Sequence, residues 1–194
     1  MRFRFAADRD RFVLATALLR LAAAYRTGTG AAAVWLDRSC DRCGEPHGRP
    51  RLPGTGLHAS ISHSGDIVGV ALTGSGPVGV DVEKIGERDY ERLIPRVCGP
   101  EERSHVCSAS DFYTYWTRKE AVLKATGTGL RTPMTRLTVT PPGSAPALLA
   151  LDGDPPPCRL MDVTAGPGYA AAVAVLTAAQ VKIAAVDSAA LLAG

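Results

Sequence analysis

The sequence predicts a mixed α/β fold with two sheets, and three observations carry that prediction. A helical pattern runs over residues 9–25, where Phe12, Ala15, Leu18, Leu19 and Ala22 recur at three and four residues and give one apolar face. Residues 57–63 alternate like a half-buried strand, and Ser64-Gly65-Asp66 turns them into a second strand at 67–72. After residues 74–77 a further strand, 78–83, is followed by helical segments and closing strands.

Each element has its own signal. Gly28 and Gly30 end the first helix, with Arg11 and Arg20 off its apolar stripe. A short strand is expected at 33–36, then a turn-rich segment at 37–56. The Gly74-Ser-Gly-Pro77 break is too short to be a free linker, so the two halves should pack together. Helices are expected at about 89–97, 100–106 and 110–126; Pro100-Glu101-Glu102 suits a helix start, with acids near the positive end of the dipole. Strands at 136–140, 147–151 and 169–176 close the chain. The last of these accounts for the uncharged stretch 163–181, which Gly166, Pro167 and Gly168 interrupt, better than a membrane span does. No targeting segment is expected.

Composition narrows the function classes. The chain has 194 residues, 46% of them hydrophobic, enough to bury a sizeable core. A net charge of +3 is too small for a general nucleic-acid binder but suits a pocket for an anionic small molecule. The five cysteines are an odd number and read as reduced thiols of a cytoplasmic protein.

Two clusters offer chemistry. Asp81 and Glu83 lie two apart on a strand, so both carboxylates share one face, with Val78, Val80 and Val82 on the opposite, core side. Acids this close repel, and a hard cation such as Mg²⁺ relieves that conflict; a solvent-facing strand with two scattered acids is the plainer reading. On the helix, Trp116, Glu120 and Lys124 fall along one face, with Lys119 beside Glu120. That pattern alone equally describes a surface ion-pair ladder. A third group, Cys40-x-x-Cys43-x-x-x-His47, has the look of three zinc ligands, but no fourth is nearby in sequence and a turn of small polar residues is the favoured reading.

Gly79-Val-Asp81-Val-Glu83-Lys84, followed by Trp116-Thr-Arg-Lys119-Glu120-Ala-Val-Leu-Lys124-Ala, resembles the paired signature of 4′-phosphopantetheinyl transferases, roughly G-[IV]-D-[IV]-E and W-[ST]-x-K-E-[AS]-x-x-K. The length and Ile61-Ser62-His63-Ser64-Gly65 are similar to the monomeric Sfp-type branch, and the likeness spans about residues 9 to 176. It implies an α+β fold of two similar α/β lobes in a pseudo-twofold arrangement, 1–76 and 77–194, with the active cleft between them in a monomer. Relatives carry a further strand before the segment matching 6–20, whereas only seven residues precede Asp8. This leaves open a trimmed first lobe or a longer chain.

The resemblance also implies roles. Asp81, Glu83 and Glu120 would coordinate Mg²⁺, with Mn²⁺ as a substitute. Lys124 would stabilise charge on the transferring phosphate, and Lys119 would be a further phosphate contact. Ser62 and His63 match a pair at the nucleotide end of coenzyme A. Arg11 and Arg49 resemble basic residues at the adenine and 3′-phosphate end, Arg49 through Gly48-Arg-Pro50. Gly127-Thr-Gly129 matches a glycine turn after the catalytic helix. The implied reaction is attack by a carrier-protein serine on the β-phosphorus of coenzyme A, releasing 3′,5′-ADP, with Glu120 as base directly or through water. The implied partners are coenzyme A and an apo acyl or peptidyl carrier protein of fatty-acid, polyketide or nonribosomal peptide synthesis, docking near 86–112, with no nucleic acid and no membrane. Glu101 is either a further acid near the metal or helix-start charge, and Trp116 a core residue that orients the helix. The rivals are a coenzyme A binder without activity and a Mg²⁺-dependent pyrophosphate hydrolase.

Overall fold

Two small antiparallel sheets meet where an edge strand of one lies against a face of the other, and one long helix packs beside that junction. The computed structural model describes residues 6–40, 42–86 and 89–188. Helix α1 (Ala6–Thr27) buries Leu19 and Ala23 completely against strands β2 (Leu57–Ser64) and β3 (Ile67–Thr73). It ends where Gly28, at φ +69°, donates its N–H to the Ala24 carbonyl (2.9 Å). A two-residue strand β1 (Arg51–Leu52) completes the sheet in the order β1-β2-β3.

The strand expected at 33–36 does not form. A 3₁₀ turn occupies Ala31–Ala33, and the chain rejoins the sheet only at an isolated bridge between Asp37 and Arg51. Val34 is buried, Leu36 packs half-buried against the same core and Trp35 stands 68% exposed, so the burial alternates as in a strand, but no strand among the described residues pairs with the run.

The second half holds strand β4 (Val78–Lys84), helices α2 (Tyr90–Val97), α3 (Pro100–Arg103) and α4 (Ala109–Thr126), and strands β5 (Leu137–Val139), β6 (Leu148–Leu151), β7 (Cys158–Asp162) and β8 (Tyr169–Leu176). Strands run β4-β8-β7 in one sheet, and β5 and β6 form a separate pair, so there are three sheets where the sequence predicts two. Strands β1 and β7 carry weak sequence signals: β1 is two residues between Pro50 and Pro53, and β7 is five residues directly after Pro155–Pro157. The helix expected at 100–106 stops after one turn at Arg103. No helix among the described residues is long and apolar enough to cross a membrane.

Helix α4 sits at the centre of this half. Ser108 caps it, accepting the Asp111 N–H (3.2 Å), and Gly127 at φ +76° terminates it. It can lie close to the sheet because the facing strands carry small residues: Gly79 pairs with Ala174 and Asp81 with Ala172, both alanines fully buried.

The junction of the two sheets is a ladder of serines. Strand β4 pairs with β8 along one edge; along the other, three alternate backbone N–H groups point at β2. The Ser60, Ser62 and Ser64 hydroxyls accept the N–H groups of Val80 (3.1 Å), Val82 (3.3 Å) and Lys84 (3.0 Å). At Val80 and Val82 side chains thereby satisfy backbone donors that would otherwise be buried and unpaired. The two-residue spacing puts all three hydroxyls on one face of β2, and the register places Ser62 beside Asp81 and Ser64 beside Glu83.

Candidate active-site cleft

A cleft of about 910 Å³ opens between the serine ladder, α4 and the loop at 38–50. Its acidic end is built from β4 and α4. Asp81 is only 3% exposed, and its face of β4 is covered by α4 rather than by solvent, which removes the reading of two scattered surface acids. The valines of β4 face the other way; Val80 and Val82 lie against β3 at Gly69, so both faces of the strand are buried.

The Asp81 carboxylate is divided in its contacts. Oδ1 accepts the Ser62 hydroxyl (2.8 Å) and the Lys124 ammonium (2.7 Å), while Oδ2 is buried without a hydrogen-bond partner. Lys124 also donates to Ser62 Oγ (3.0 Å) and to the Val80 carbonyl (3.0 Å), which fixes its head at the floor of the cleft. Glu83 accepts the Ser64 hydroxyl (2.7 Å). Glu120 lines the same floor from α4.

Burial pushes all three carboxyls above their ordinary values. For Asp81, Lys124 opposes the rise; Glu83 is raised further by Asp81, and Glu120 by Asp81 and then Glu83. Three carboxyls, one with a bare buried oxygen, are oxygen donors of the kind a hard divalent cation takes, although among the described residues their oxygens are not gathered within 4.8 Å of one another.

The cleft also has basic lining. Arg38, Arg42, Arg49 and Arg131 line it, together with His47 and His63. Arg49 Nη1 donates to the Ala125 carbonyl at the end of α4 (3.1 Å) and packs beside Gly127. Of the nucleotide-end residues the sequence singles out, Ser62, His63 and Arg49 are therefore brought together. Nothing in the sequence neighbourhoods of Arg38, Arg42 and Arg131 marks them as site residues; the fold alone brings them to the cleft. Trp116 both packs on Phe112 (ring centroids 5.9 Å apart) and lines the cleft.

Lys119 and Arg11 are not brought to this surface. Lys119 is fully buried on the far side of α4, where it pairs with Glu102 and donates to the carbonyls of Val97 (2.8 Å), Met134 (3.1 Å) and Leu137 (2.8 Å). The expectation of a phosphate contact is corrected: successive helix residues point about 100° apart, and Glu120 takes the cleft side. Arg11 donates to the Gly65 carbonyl (2.9 Å) and does not line the cleft, although its neighbour Phe12 does. Glu101 is exposed and also outside it. The acid that matters there is Glu102, which accepts the Gly99 N–H (2.8 Å) and the Val139 N–H (3.1 Å). Arg118, 1% exposed, ties α4 to Asp162 (2.6 Å) and to the Thr140 carbonyl (2.7 Å).

Part of this geometry falls within a segment that known proteins share. Residues 77–174 match the model of the 4′-phosphopantetheinyl transferase superfamily. The chain belongs to that superfamily. It is 28% identical over 179 residues to a 4′-phosphopantetheinyl transferase of Bacillus subtilis, covering 89% of this chain and 76% of that protein. To the Sfp transferase of Bacillus subtilis strain 168 it is 30% identical over 146 residues, which is 71% of this chain and 64% of the relative. To HetI of Nostoc it is 32% identical over 136 residues, 66% and 56% respectively. The chain thus spans under two thirds of the length of the last two relatives. It also resembles the crystal structure of Thermotoga maritima holo-[acyl-carrier-protein] synthase, at 25% identity and a TM-score of 0.43, over 52% of this chain and 62% of that one. The matched superfamily segment contains Asp81, Glu83, Glu120 and Lys124, whereas Ser62, His63 and the basic loop precede it.

Proposed function

We propose that this superfamily member transfers the 4′-phosphopantetheine moiety of coenzyme A to a serine of an apo acyl or peptidyl carrier protein, releasing 3′,5′-ADP. The observation that carries the proposal is the division of one cleft's lining between three carboxyls, with Asp81 Oδ2 buried and unpartnered, and four arginines. A coenzyme A pyrophosphate with its 3′-phosphate suits that division.

In this reading Asp81, Glu83 and Glu120 hold Mg²⁺, with Mn²⁺ as a substitute; the ion supplies charge neutralisation of the pyrophosphate. Lys124 sits 2.7 Å from Asp81 and places a point charge where negative charge builds on the transferring phosphate. Glu120 faces the same floor and takes the proton of the attacking serine, directly or through one water. Arg49, His63 and Ser62 lie toward the nucleotide, and Arg38, Arg42 and Arg131 add guanidiniums suited to a phosphate monoester.

The finer architecture belongs to the same proposal. The lobes run 1–76 and 77–194, related by a pseudo-twofold across the serine ladder, in a monomeric protein of the cytoplasm. The carrier docks on the surface around 86–112. Incubation with coenzyme A and an apo-carrier tests the reading. Phosphopantetheine mass appearing on the carrier supports transfer; 3′,5′-ADP released without a carrier favours the hydrolase, and binding with neither favours an inactive coenzyme A holder.

A further inference from the structure

The loop at 38–50 contains a second constellation that the transferase reading does not use. Among the described residues, Cys40, Cys43 and His47 form the group of three potential metal ligands whose ligand atoms all lie within 4.8 Å of one another. The Cys43 sulfur and His47 Nε2 are 3.0 Å apart. Two sulfurs and a nitrogen about 2.0–2.3 Å from a tetrahedral zinc stand roughly 3.5–3.8 Å apart. The loop therefore needs an adjustment of no more than about an ångström to seat the ion.

The backbone is folded to present these groups. Gly44, at φ +74°, donates its N–H to the Cys40 carbonyl (2.9 Å), closing the turn around the Cys-x-x-Cys segment. The Cys40 and His47 N–H groups both donate to the Glu45 carbonyl (2.9 and 2.8 Å), which brings the histidine back over the cysteines. Gly48 N–H on the Arg38 carbonyl (2.7 Å), with Arg38 Nε on the Gly48 carbonyl (3.2 Å), clamps the two ends of the loop. A Cβ at Gly48 would collide with the Ser39 carbonyl, so the clamp is tight.

We propose that Cys40, Cys43 and His47 bind one Zn²⁺, with the fourth position open to water or to an oxygen of the cleft's ligand. Binding releases the two thiol protons, leaves neutral imidazole as the third donor and requires no redox change. Its consequence is positional. Arg42 lies between the two cysteines in sequence, and Arg38 and Arg49 flank the loop, so the ion fixes the basic wall of the cleft. The metal site itself stands independently of the transferase reading; only its effect on coenzyme A rests on it.

The test is metal analysis of the purified full chain, then titration of the metal-free protein with Co²⁺. The expected result is about one zinc per chain and a tetrahedral cobalt spectrum with thiolate charge-transfer bands. Cys43→Ser should abolish both with unchanged circular dichroism, and should raise the KM for coenzyme A about tenfold at fixed Mg²⁺. A chain that takes up no zinc, a cobalt spectrum unchanged in Cys43→Ser, or a Cys40–Cys43 disulfide found by mass spectrometry of the purified protein would overturn the proposal. Loss of zinc without a change in KM would overturn its positional part alone. These metal readouts do not depend on whether the carrier assay succeeds.

Discussion

Gly79 on β4 lies so close to Ala121 on α4 that a methyl group on the glycine would run into the Ala121 carbonyl oxygen and the Ala125 N–H. Both obstacles are backbone, so neither can rotate away. Gly79→Ala should therefore destabilise the protein by about 1–3 kcal/mol, as overpacking of a tight core does, measured as a lowered urea midpoint. The same close approach sets the distance between Asp81 on the strand and Lys124 and Glu120 on the helix, so activity should fall with stability.

The Lys119–Glu102 pair is almost wholly buried, at 0% and 4% side-chain exposure. Burial pulls the Lys119 pKa down and the hydrogen bond to Glu102 opposes that fall, so removing the acid leaves a cation with only carbonyl partners. Glu102→Gln should cost about 3–5 kcal/mol of unfolding free energy. An undiminished melting temperature would show that the pair does not support the packing of α3, α4 and β5.

The fold class was legible because its signals are local and periodic. The alternation at 57–63 and the turn into 67–72 became β2 and β3, and the face shared by Asp81 and Glu83 became the cleft wall. Positions decided by tertiary contact were less legible. Sequence spacing could not say that Lys119 turns inward while Glu120 turns outward, because the difference lies in which side of α4 meets Glu102 and the carbonyls around it. Nor could it show that Ser60, Ser62 and Ser64 satisfy the free edge of β4, since that ladder joins strands about twenty residues apart in the chain. The Cys40, Cys43 and His47 cluster looked incomplete in sequence for want of a fourth ligand; the fold brings the three together all the same.

Glu120 has a pKa raised by burial and by Asp81 and Glu83, against Lys124. In metal-free protein its ionised form is therefore penalised by folding, so the stability it withholds at neutral pH returns as pH falls through the raised value toward that of the unfolded chain. Glu120→Gln should melt higher than wild type in chelator at neutral pH, and the difference should vanish in acid. An advantage that persists into acid would assign it to packing instead of charge.

Arg49 reaches the cleft from the basic loop and is held by the Ala125 carbonyl. Arg49→Ala should raise the KM for coenzyme A about tenfold with kcat nearly unchanged, since it serves binding of the nucleotide end in ground and transition states alike. Steady-state kinetics at varied coenzyme A would show this. A fall in kcat at constant KM would move Arg49 to the reacting end.

In the proposed transferase the buried Asp81 carboxylate, bare at Oδ2, organises the chemistry. The most direct test is the rate at which Asp81→Ala protein adds phosphopantetheine mass to an apo-carrier at saturating coenzyme A and Mg²⁺, with folding verified by circular dichroism. A loss of at least about a hundredfold is expected. A folded Asp81→Ala protein that modifies the carrier at close to the wild-type rate would contradict it.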